Sequence, residues 1–402
     1  MDRNRKRVTY VASGAAGRRA VAYGMQSSAK KKKKGSFLDS LKLIVPVVLT
    51  AALIVFVIVW SLTQTGRTGI GRATRIGATL SQNITPFGDS VIFYDGTTLH
   101  CMNAGGGNEW SYQIGTNADY DATQERVVAW SGNDIYILNS RGRLTYNDKM
   151  SDSVQFASIG ENYVAAFVGE ADNGVITVIN NDGQIVDNIT VENQTLMDIG
   201  FFFANTTSSG AQATELMWVL GLDTTGTVIS TELQTFQPGK LSTGKSSLGE
   251  NIAYSVYHAD GMLNIVDTRQ IMHYNYRALE EKSATLIYGY TMEDVRTVGN
   301  ITYQLLIHAQ ETNEGYHINN VRLMYGATDR VLHLPSECIS AQLGTKGVYG
   351  FSNNAVYVCR YGDNTFSSYS MPVNVTAVLG MITDNRVVVA SGAEIYVVEL
   401  PE

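Results

Sequence analysis

Cysteine is scarce in this sequence, and its scarcity excludes a disulfide-stapled scaffold. Only Cys101, Cys338 and Cys359 occur among 402 residues, no two of them are adjacent, and their spacing matches no metal-binding pattern. A domain of this size can bury an adequate core without disulfides. Buried free thiols are therefore the expected state of all three, and a Cys338–Cys359 bridge is the alternative.

The sequence also lacks the motifs that carry common chemistries. The six histidines show neither H-x-H nor H-E-x-x-H spacing: His100, His258, His273, His308, His317 and His333. No nucleophile elbow G-x-S-x-G and no phosphate-binding G-x-x-x-x-G-K-[ST] is present. The segments "GGGN" (105–108) and "NNDGQ" (180–184) are typical of β-turns. The sequence thus predicts no catalytic residue, no cofactor and no metal site.

Basic residues are few in the C-terminal body. Residues 63–402 carry 18 basic and 35 acidic residues, a net charge of −17, whereas residues 1–42 carry a net charge of +10. Phosphate backbones require a positive surface, so the acidic body excludes nucleic acid as its partner.

One long apolar run separates the basic tail from the acidic body. Residues 43–62 contain no charged side chain, and about 20 helical residues cross the hydrocarbon core of a bilayer. Trp60 stands at its far end, where interfacial aromatics are preferred. The run is too long for a cleaved signal peptide and no A-x-A-like site follows it. It predicts a single transmembrane helix that also acts as an export signal.

The charge flanking this run predicts its orientation. Twelve basic residues precede it, so the positive-inside rule places the N-terminus in the cytoplasm and the body outside. Five of them form the basic cluster Lys30, Lys31, Lys32, Lys33 and Lys34. We interpret this cluster as a topology signal at the membrane surface; a regulated partner site is the alternative.

The body is a succession of β-hairpins. Eight stretches each consist of an apolar strand, a tight polar turn and a second apolar strand, as in "RVVAWSGNDIYILNSRG" (126–142) and "RVVVASGAEIYVVEL" (386–400). To measure the spacing of the hairpins, we take one reference residue in each second strand: Leu99, Ile135, Ile176, Val228, Ile271, Val321, Val356 and Ile395. Their mean spacing is about 42 residues, the period of a four-stranded propeller blade. Turns such as Asp95-Gly96 and Asn173-Gly174 suit tight hairpins.

The spacing and the flanking strands predict an all-β fold. We expect an eight-bladed β-propeller of four-stranded antiparallel blades, with seven blades as the alternative, preceded by one transmembrane helix. The last hairpin lacks an outer strand, and a spare strand candidate, "TRIGATLSQ" (74–82), precedes the first one. Pairing the two would close the ring and remove two sheet edges.

Two blades resemble a known family. "TLHCMNAGGGNEWSY" (98–112) and "DIYILNSRGRLTY" (134–146) resemble the signature of pyrroloquinoline-quinone-like propellers, in which Tyr-x-Leu-Asp leads into a Gly turn and then Trp or Tyr. The family includes non-enzymatic BamB-like propellers of envelope assembly. The arrangement of tail, anchor and propeller resembles an uncharacterised family of Clostridia-type Gram-positive bacteria. Quinoprotein dehydrogenases of this fold use a vicinal cysteine pair and an acidic calcium cluster. Both are absent here, so the resemblance implies no cofactor.

These observations predict four regions: a disordered cytoplasmic tail (1–42), a transmembrane helix (43–62), a linker (63–73) and an extracytoplasmic propeller (74–402). We expect a non-enzymatic, single-pass membrane protein that scaffolds cell-envelope assembly or maintenance through an envelope protein partner. The alternative is an extracytoplasmic enzyme or ligand sensor with its site at the central channel.

Overall fold

The computed structural model describes residues 71–206, 213–240, 242–312, 315–383 and 385–400. The predicted tail, the predicted span 43–62 and Lys30–Lys34 lie outside these residues, so their assignments stay predictions. In the part that the structure describes, no helix is long and apolar enough to cross a membrane. Residues Arg67–Glu402 form one compact unit.

The described residues of this unit form eight four-stranded antiparallel sheets, each a blade of a β-propeller. After β1 (Ala73–Thr79), the first four blades contain β2 (Ile84–Phe87), β3 (Ser90–Tyr94), β4 (Thr98–Asn103) and β5 (Asn108–Gln113); β6 (Ala118–Ala122), β7 (Arg126–Ser131), β8 (Asp134–Asn139) and β9 (Leu144–Lys149); β10 (Val154–Ile159), β11 (Tyr163–Glu170), β12 (Asn173–Asn180) and β13 (Ile185–Glu192); and β14 (Gln194–Ala204), β15 (Thr214–Asp223), β16 (Ser230–Phe236) and β17 (Ser242–Ser247).

The last four blades contain β18 (Ser255–Ala259), β19 (Met262–Val266), β20 (Gln270–Tyr274) and β21 (Glu280–Leu286); β22 (Thr291–Val298), β23 (Ile301–Thr312), β24 (Gly315–Tyr325) and β25 (Thr328–Cys338); β26 (Ser340–Leu343), β27 (Gly347–Phe351), β28 (Ala355–Arg360) and β29 (Ser367–Ser370); and β30 (Ala377–Thr383), β31 (Arg386–Ser391) and β32 (Glu394–Glu399). The prediction of eight blades is confirmed.

The first strands of successive blades lie at the centre of the ring. Strand β10 contacts both β6 and β14, and β26 contacts both β22 and β30. The second and third strands are sandwiched between neighbouring blades. Residues 127–130 of β7, for example, are buried on both faces, which explains why such strands read as continuous apolar runs. Outer strands such as β9 are mostly exposed and polar.

The ring is closed by pairing between the first and the last of the described strands. In the eighth blade the order is β1-β32-β31-β30, with Ile76 opposite Ile395. Ile76 and Ala78 are buried in a cluster that also holds Val388 and Val397. The predicted closure by residues 74–82 is confirmed, because β1 supplies the outer strand of the last blade and covers the edge of β32.

Three details of the sequence interpretation are wrong. Val228 precedes β16 and lies in an exposed turn, because blade four has a longer connection than the mean period assumes. Asn173 and Gly174 already belong to β12, and the turn itself is formed by residues 171–172. The alternative Cys338–Cys359 bridge is not formed; both thiols are free and buried in one cluster.

The motif at residues 98–112 and 134–146, which resembles the propeller signature, corresponds to a recurring turn between the third and fourth strands of a blade. In four blades an asparagine side-chain oxygen accepts two backbone N–H bonds: at Asn103, Asn139, Asn180 and Asn275. Three residues later the backbone has positive φ, and glycine occupies that position in three of the four turns. The fourth is Ala278, with φ of 55°.

The fourth strand of one blade then packs on this turn of the next. Trp110 of β5 donates its indole N–H to the carbonyl of Ser140 at 3.0 Å. A Cβ atom on Gly142 would lie 2.4 Å from the Trp110 ring, so only glycine allows this contact. Tyr146 packs on Gly183 of the following blade in the same manner. The aromatic residue and the glycine of the signature therefore join successive blades.

Candidate interaction site

The strand connections lie on two opposite faces of the ring. Because successive strands run antiparallel, connections between first and second strands and between third and fourth strands emerge on one side, which we call the turn face. Connections between second and third strands, and from one blade to the next, emerge on the other side, which we call the loop face.

The two faces differ in charge. Among the described connections, those of the loop face carry five acidic residues and one basic residue: Asp95, Asp152, Asp172, Glu250, Asp267 and Arg269. The described connections of the turn face carry six of each: Asp89, Glu125, Glu161, Asp182, Asp260 and Asp363 against Arg72, Arg141, Arg143, Lys240, Arg277 and Lys346. The described loop-face connections are therefore net acidic, although Asp267 is buried, whereas those of the turn face are balanced.

The loop face also carries a group of exposed apolar side chains. Six exposed large apolar residues lie at the loop face over blades four to six, and we call them the apolar patch: Val228, Ile229, Ile252, Tyr254, Leu286 and Tyr288. Their exposed fractions run from 44% to 63%. The other exposed large apolar residues are dispersed over the ring: Leu80, Leu144, Ile185, Leu279, Ile301 and Val331. Single exposed residues are ordinary, whereas a grouped set marks an interaction surface.

Hydrogen bonds between loops bring the members of the patch together. The amide of Thr231, two residues after Ile229, donates to the carbonyl of Gly249 at 3.0 Å. Arg269 donates its Nη2 to Oδ1 of Asn251 at 2.6 Å, and its carbonyl accepts from the amide of Ile287 at 2.8 Å. Ile252 and Tyr288, each next to one of these bonded residues, are therefore both close to Arg269.

Further contacts hold the connections 248–254 and 287–290 in place. The Tyr254 hydroxyl accepts the amide of Met292 at 3.0 Å. His308 bonds the carbonyl of Gly289, and the Arg322 guanidinium lies 5.5 Å from the centroid of the Tyr290 ring. These contacts hold the loops that carry Tyr254 and Tyr288 in place, which lowers the entropic cost of binding a partner there.

Carboxylates of the first strands connect neighbouring blades. Oδ2 of Asp121 accepts the amide of Ile159 in the next blade at 3.0 Å. Oδ2 of Asp294 accepts the amide of Leu343 at 2.8 Å in the same way. Both groups thus have a structural use as acceptors of backbone N–H bonds.

Burial perturbs the acids of this inner ring. It raises the pKa of Asp198, and the charge of Asp121 adds to the rise. Burial also raises the pKa of Glu293, which is the extra residue of a β-bulge, and the neighbouring charge of Asp294 raises it further. Within the described ranges, no three His, Cys, Asp or Glu side chains are grouped so that they could hold a metal ion.

A polar network is buried inside blade five, near the turn-face ends of β19 and β20. Nδ1 of His273 donates to Oδ1 of Asn264 at 2.7 Å, and Nε2 accepts from the Thr285 hydroxyl at 3.0 Å. Asn264 is oriented by its own donation to the carbonyls of Ala259 and Met262. Burial lowers the pKa of His273 to about 4, and the charge of Lys282 contributes, so the ring is neutral at pH 7.

The other histidines and the thiols have separate local surroundings. His100 bonds Asp95, His317 lies 3.4 Å from Glu337, His333 bonds Asn320, and His258 packs against Phe202. Burial raises the pKa of Cys101 and of Cys338 to about 12 and also raises that of Cys359. These thiols are protonated at neutral pH and are poor nucleophiles.

A cavity on the turn face offers less to a partner than the apolar patch. It has a volume of about 450 Å³ and is lined by polar residues, including Arg126, Glu125 and Glu161. Arg126 already donates to the carbonyl of Glu161 at 2.7 Å. Both oxygens of the buried Glu215 accept the amides of Glu161 and Asn162 at 2.7 Å. These charged groups stabilise the hairpin that they surround.

Sequence reasoning missed the apolar patch. Five of its members come from three separate connections and the sixth, Leu286, ends β21, and they meet only when blades four, five and six are placed side by side. A local signal was nevertheless present, since Ile252, Tyr254 and Tyr288 fall between hairpins, where polar turn residues are the norm.

Comparison with solved structures supports the propeller fold. The WD40 domain of SCAP from fission yeast matches with a TM-score of 0.53 and 8% identity, over 82% of this chain and 98% of that domain. Sqt1 of Saccharomyces cerevisiae matches with a TM-score of 0.51 and 12% identity, over 82% and 100%. BamB from Moraxella catarrhalis matches with a TM-score of 0.47 and 12% identity, over 83% and 97%. No protein-family model and no curated protein matches the sequence.

Proposed function

We propose that this protein is a membrane-anchored, extracytoplasmic β-propeller that acts as a protein-interaction scaffold in cell-envelope assembly or maintenance. The apolar patch on the loop face is the observation that carries the interaction role. Fully burying one large apolar side chain is worth about 1.5–3 kcal/mol, so a partner that covers several of them gains substantially.

The location follows from the sequence. A charge-free run at residues 43–62, preceded by a tail of net charge +10, favours one span with the body on the outer side of the membrane. An anchored body meets other membrane and envelope proteins at a high local concentration, which favours a scaffold.

The use of the inner carboxylates supports binding rather than chemistry at the channel. Asp121 and Asp294 each accept a backbone amide of the next blade, so these two groups contribute to ring stability. The neutral thiols likewise offer no activated nucleophile.

Site-specific photo-crosslinking in live cells tests the interaction role. A photoreactive residue replaces Tyr288 on the loop face or, as the matched control, Leu279 on the turn face. Both wild-type side chains are exposed, at 63% and 57%. We expect a discrete crosslinked protein from position 288 and none from position 279. Equal crosslinking from both positions, or none from position 288, would contradict the proposed site.

Reporter fusions test the location separately. A reporter that is active only in the cytoplasm should work when fused before Lys30 and fail when fused after Glu402. Replacing Lys30–Lys34 by Asn should weaken this bias without abolishing insertion, because the apolar run drives insertion. The reverse pattern would refute the proposed orientation.

A further inference from the structure

We propose that the apolar patch binds a segment of a partner protein in which apolar or aromatic side chains are flanked by lysine or arginine. This inference rests on the proposed scaffold role and specifies the chemistry of the partner. It follows from two properties that coincide on one face, grouped exposed apolar side chains and an excess of acidic connections.

The patch itself requires apolar side chains from the partner. Two of its six members are tyrosines, and their exposed fractions are 44% for Tyr254 and 63% for Tyr288. Tyrosine combines a large apolar ring with a polar end and is enriched among residues that dominate binding energies. The faces of these rings also attract cationic groups, since a guanidinium or ammonium is drawn to the ring quadrupole.

The charges around the patch select a basic partner. Glu250 is exposed two residues before Ile252, and Asp223 ends the strand that leads into Val228 and Ile229. The one basic residue among the described loop-face connections, Arg269, already donates to Asn251. With a net charge of −17 on residues 63–402, a basic segment is attracted at a distance and an acidic one is repelled.

The same charges disfavour two other occupants. An anionic lipid surface attracts basic protein faces, and this face is acidic. A second copy of the chain, related by a two-fold axis, would place the same acidic loops opposite one another. A basic, apolar protein segment meets both requirements of the surface.

Selection from a random displayed peptide library on the Arg67–Glu402 body, which forms a compact unit of its own, tests the inference. We expect the selected peptides to contain Phe, Trp or Leu flanked by Lys or Arg. Their affinity, measured with synthetic copies, should fall at least about tenfold in Ile252→Ser and in Tyr288→Ser. It should stay within about twofold in Leu279→Ser, the turn-face control. Replacing the flanking Lys and Arg by Glu should abolish binding.

Three results would overturn the proposal. The first is a selection that yields acidic peptides, or none whose binding depends on Ile252 and Tyr288. The second is self-association of the body in sedimentation that Ile252→Ser abolishes, which would assign the patch to a second copy. The third is patch-dependent binding to vesicles that contain phosphatidylglycerol. A crosslinked protein from position 288 together with any of these results would leave the scaffold role standing and remove only the partner chemistry.

Discussion

The loop face and the turn face are built from the same thirty-two strands, yet they differ in what they expose. Turn-face connections are balanced in charge, and two of them contact an aromatic residue from the outer strand of the preceding blade, as Gly142 does with Trp110. Loop-face connections are acidic and present Ile252, Tyr254 and Tyr288 to solvent. The turn face is therefore used mainly for internal cohesion, which leaves the loop face available for a partner.

The largest expected effect comes from opening the ring, since the two faces exist as opposite sides only while it is closed. A body that begins at Asn83 lacks β1, and with it the buried Ile76 and Ala78. We expect its free energy of unfolding to fall by more than about 5 kcal/mol relative to the Arg67–Glu402 body, because core contacts are lost and the edge of β32 is exposed. Urea unfolding followed by circular dichroism measures this.

The control for this deletion is a peptide of residues 67–82 added in trans. It should restore much of the lost stability by pairing with β32. Equal stability of the two bodies, without the peptide, would show that closure by β1 contributes little.

A pair of glycine substitutions compares the faces directly. Gly142 on the turn face and Gly132 on the loop face both have positive φ, 68° and 61°. A Cβ at Gly142 would strike the Trp110 ring, whereas a Cβ at Gly132 meets nothing within 4 Å. Gly142→Ala should cost about 3–5 kcal/mol, and Gly132→Ala only the backbone strain of about 1–2 kcal/mol. Thermal or urea unfolding measures both losses of stability. Equal losses would refute the claim that the Gly142 turn is required for packing against Trp110.

Acidification should weaken blade five, which holds the buried His273. The pKa of His273 in the folded state, about 4, lies below its ordinary value, so its neutral form stabilises the fold. That contribution is complete above about pH 6.5 and is lost as the pH falls towards 4, by on the order of 3 kcal/mol at most. His273→Gln should remove this part of the pH dependence. Urea unfolding of both chains at several pH values between 7.5 and 4 provides the comparison, and parallel curves would refute it.

The smallest expected effect on stability comes from substitutions at Ile252 on the loop face and Leu279 on the turn face. Both side chains are 57% exposed. Ile252→Ser and Leu279→Ser should each change the free energy of unfolding by less than about 0.5 kcal/mol, because neither side chain is buried. Their difference should appear only in partner binding. A large loss of stability in Ile252→Ser alone would mean that the patch belongs to the core.

The sequence predicted the repeat more accurately than the surface. The hairpin period and the spare strand at residues 74–82 are local patterns, and both the blade number and the closure are confirmed. Val228 was misplaced because a mean period cannot register one longer connection. The carboxylate of Asp121 reaches an amide 38 residues away. No local pattern encodes such a contact, or a patch assembled from three loops of different blades.

Closure by β1 also imposes an order on the folding of a newly made chain. Thr79, the last residue of β1, pairs with Glu394, the first residue of β32. At about 5–20 residues per second, ribosomes complete β32 roughly 15–60 seconds after β1. During this interval β1 has no partner strand, and any chain that is terminated before β32 cannot close the ring. A single late pairing event thus distinguishes chains that contain β32 from chains truncated before it, and proteases or chaperones that recognise unpaired strands can act on that difference.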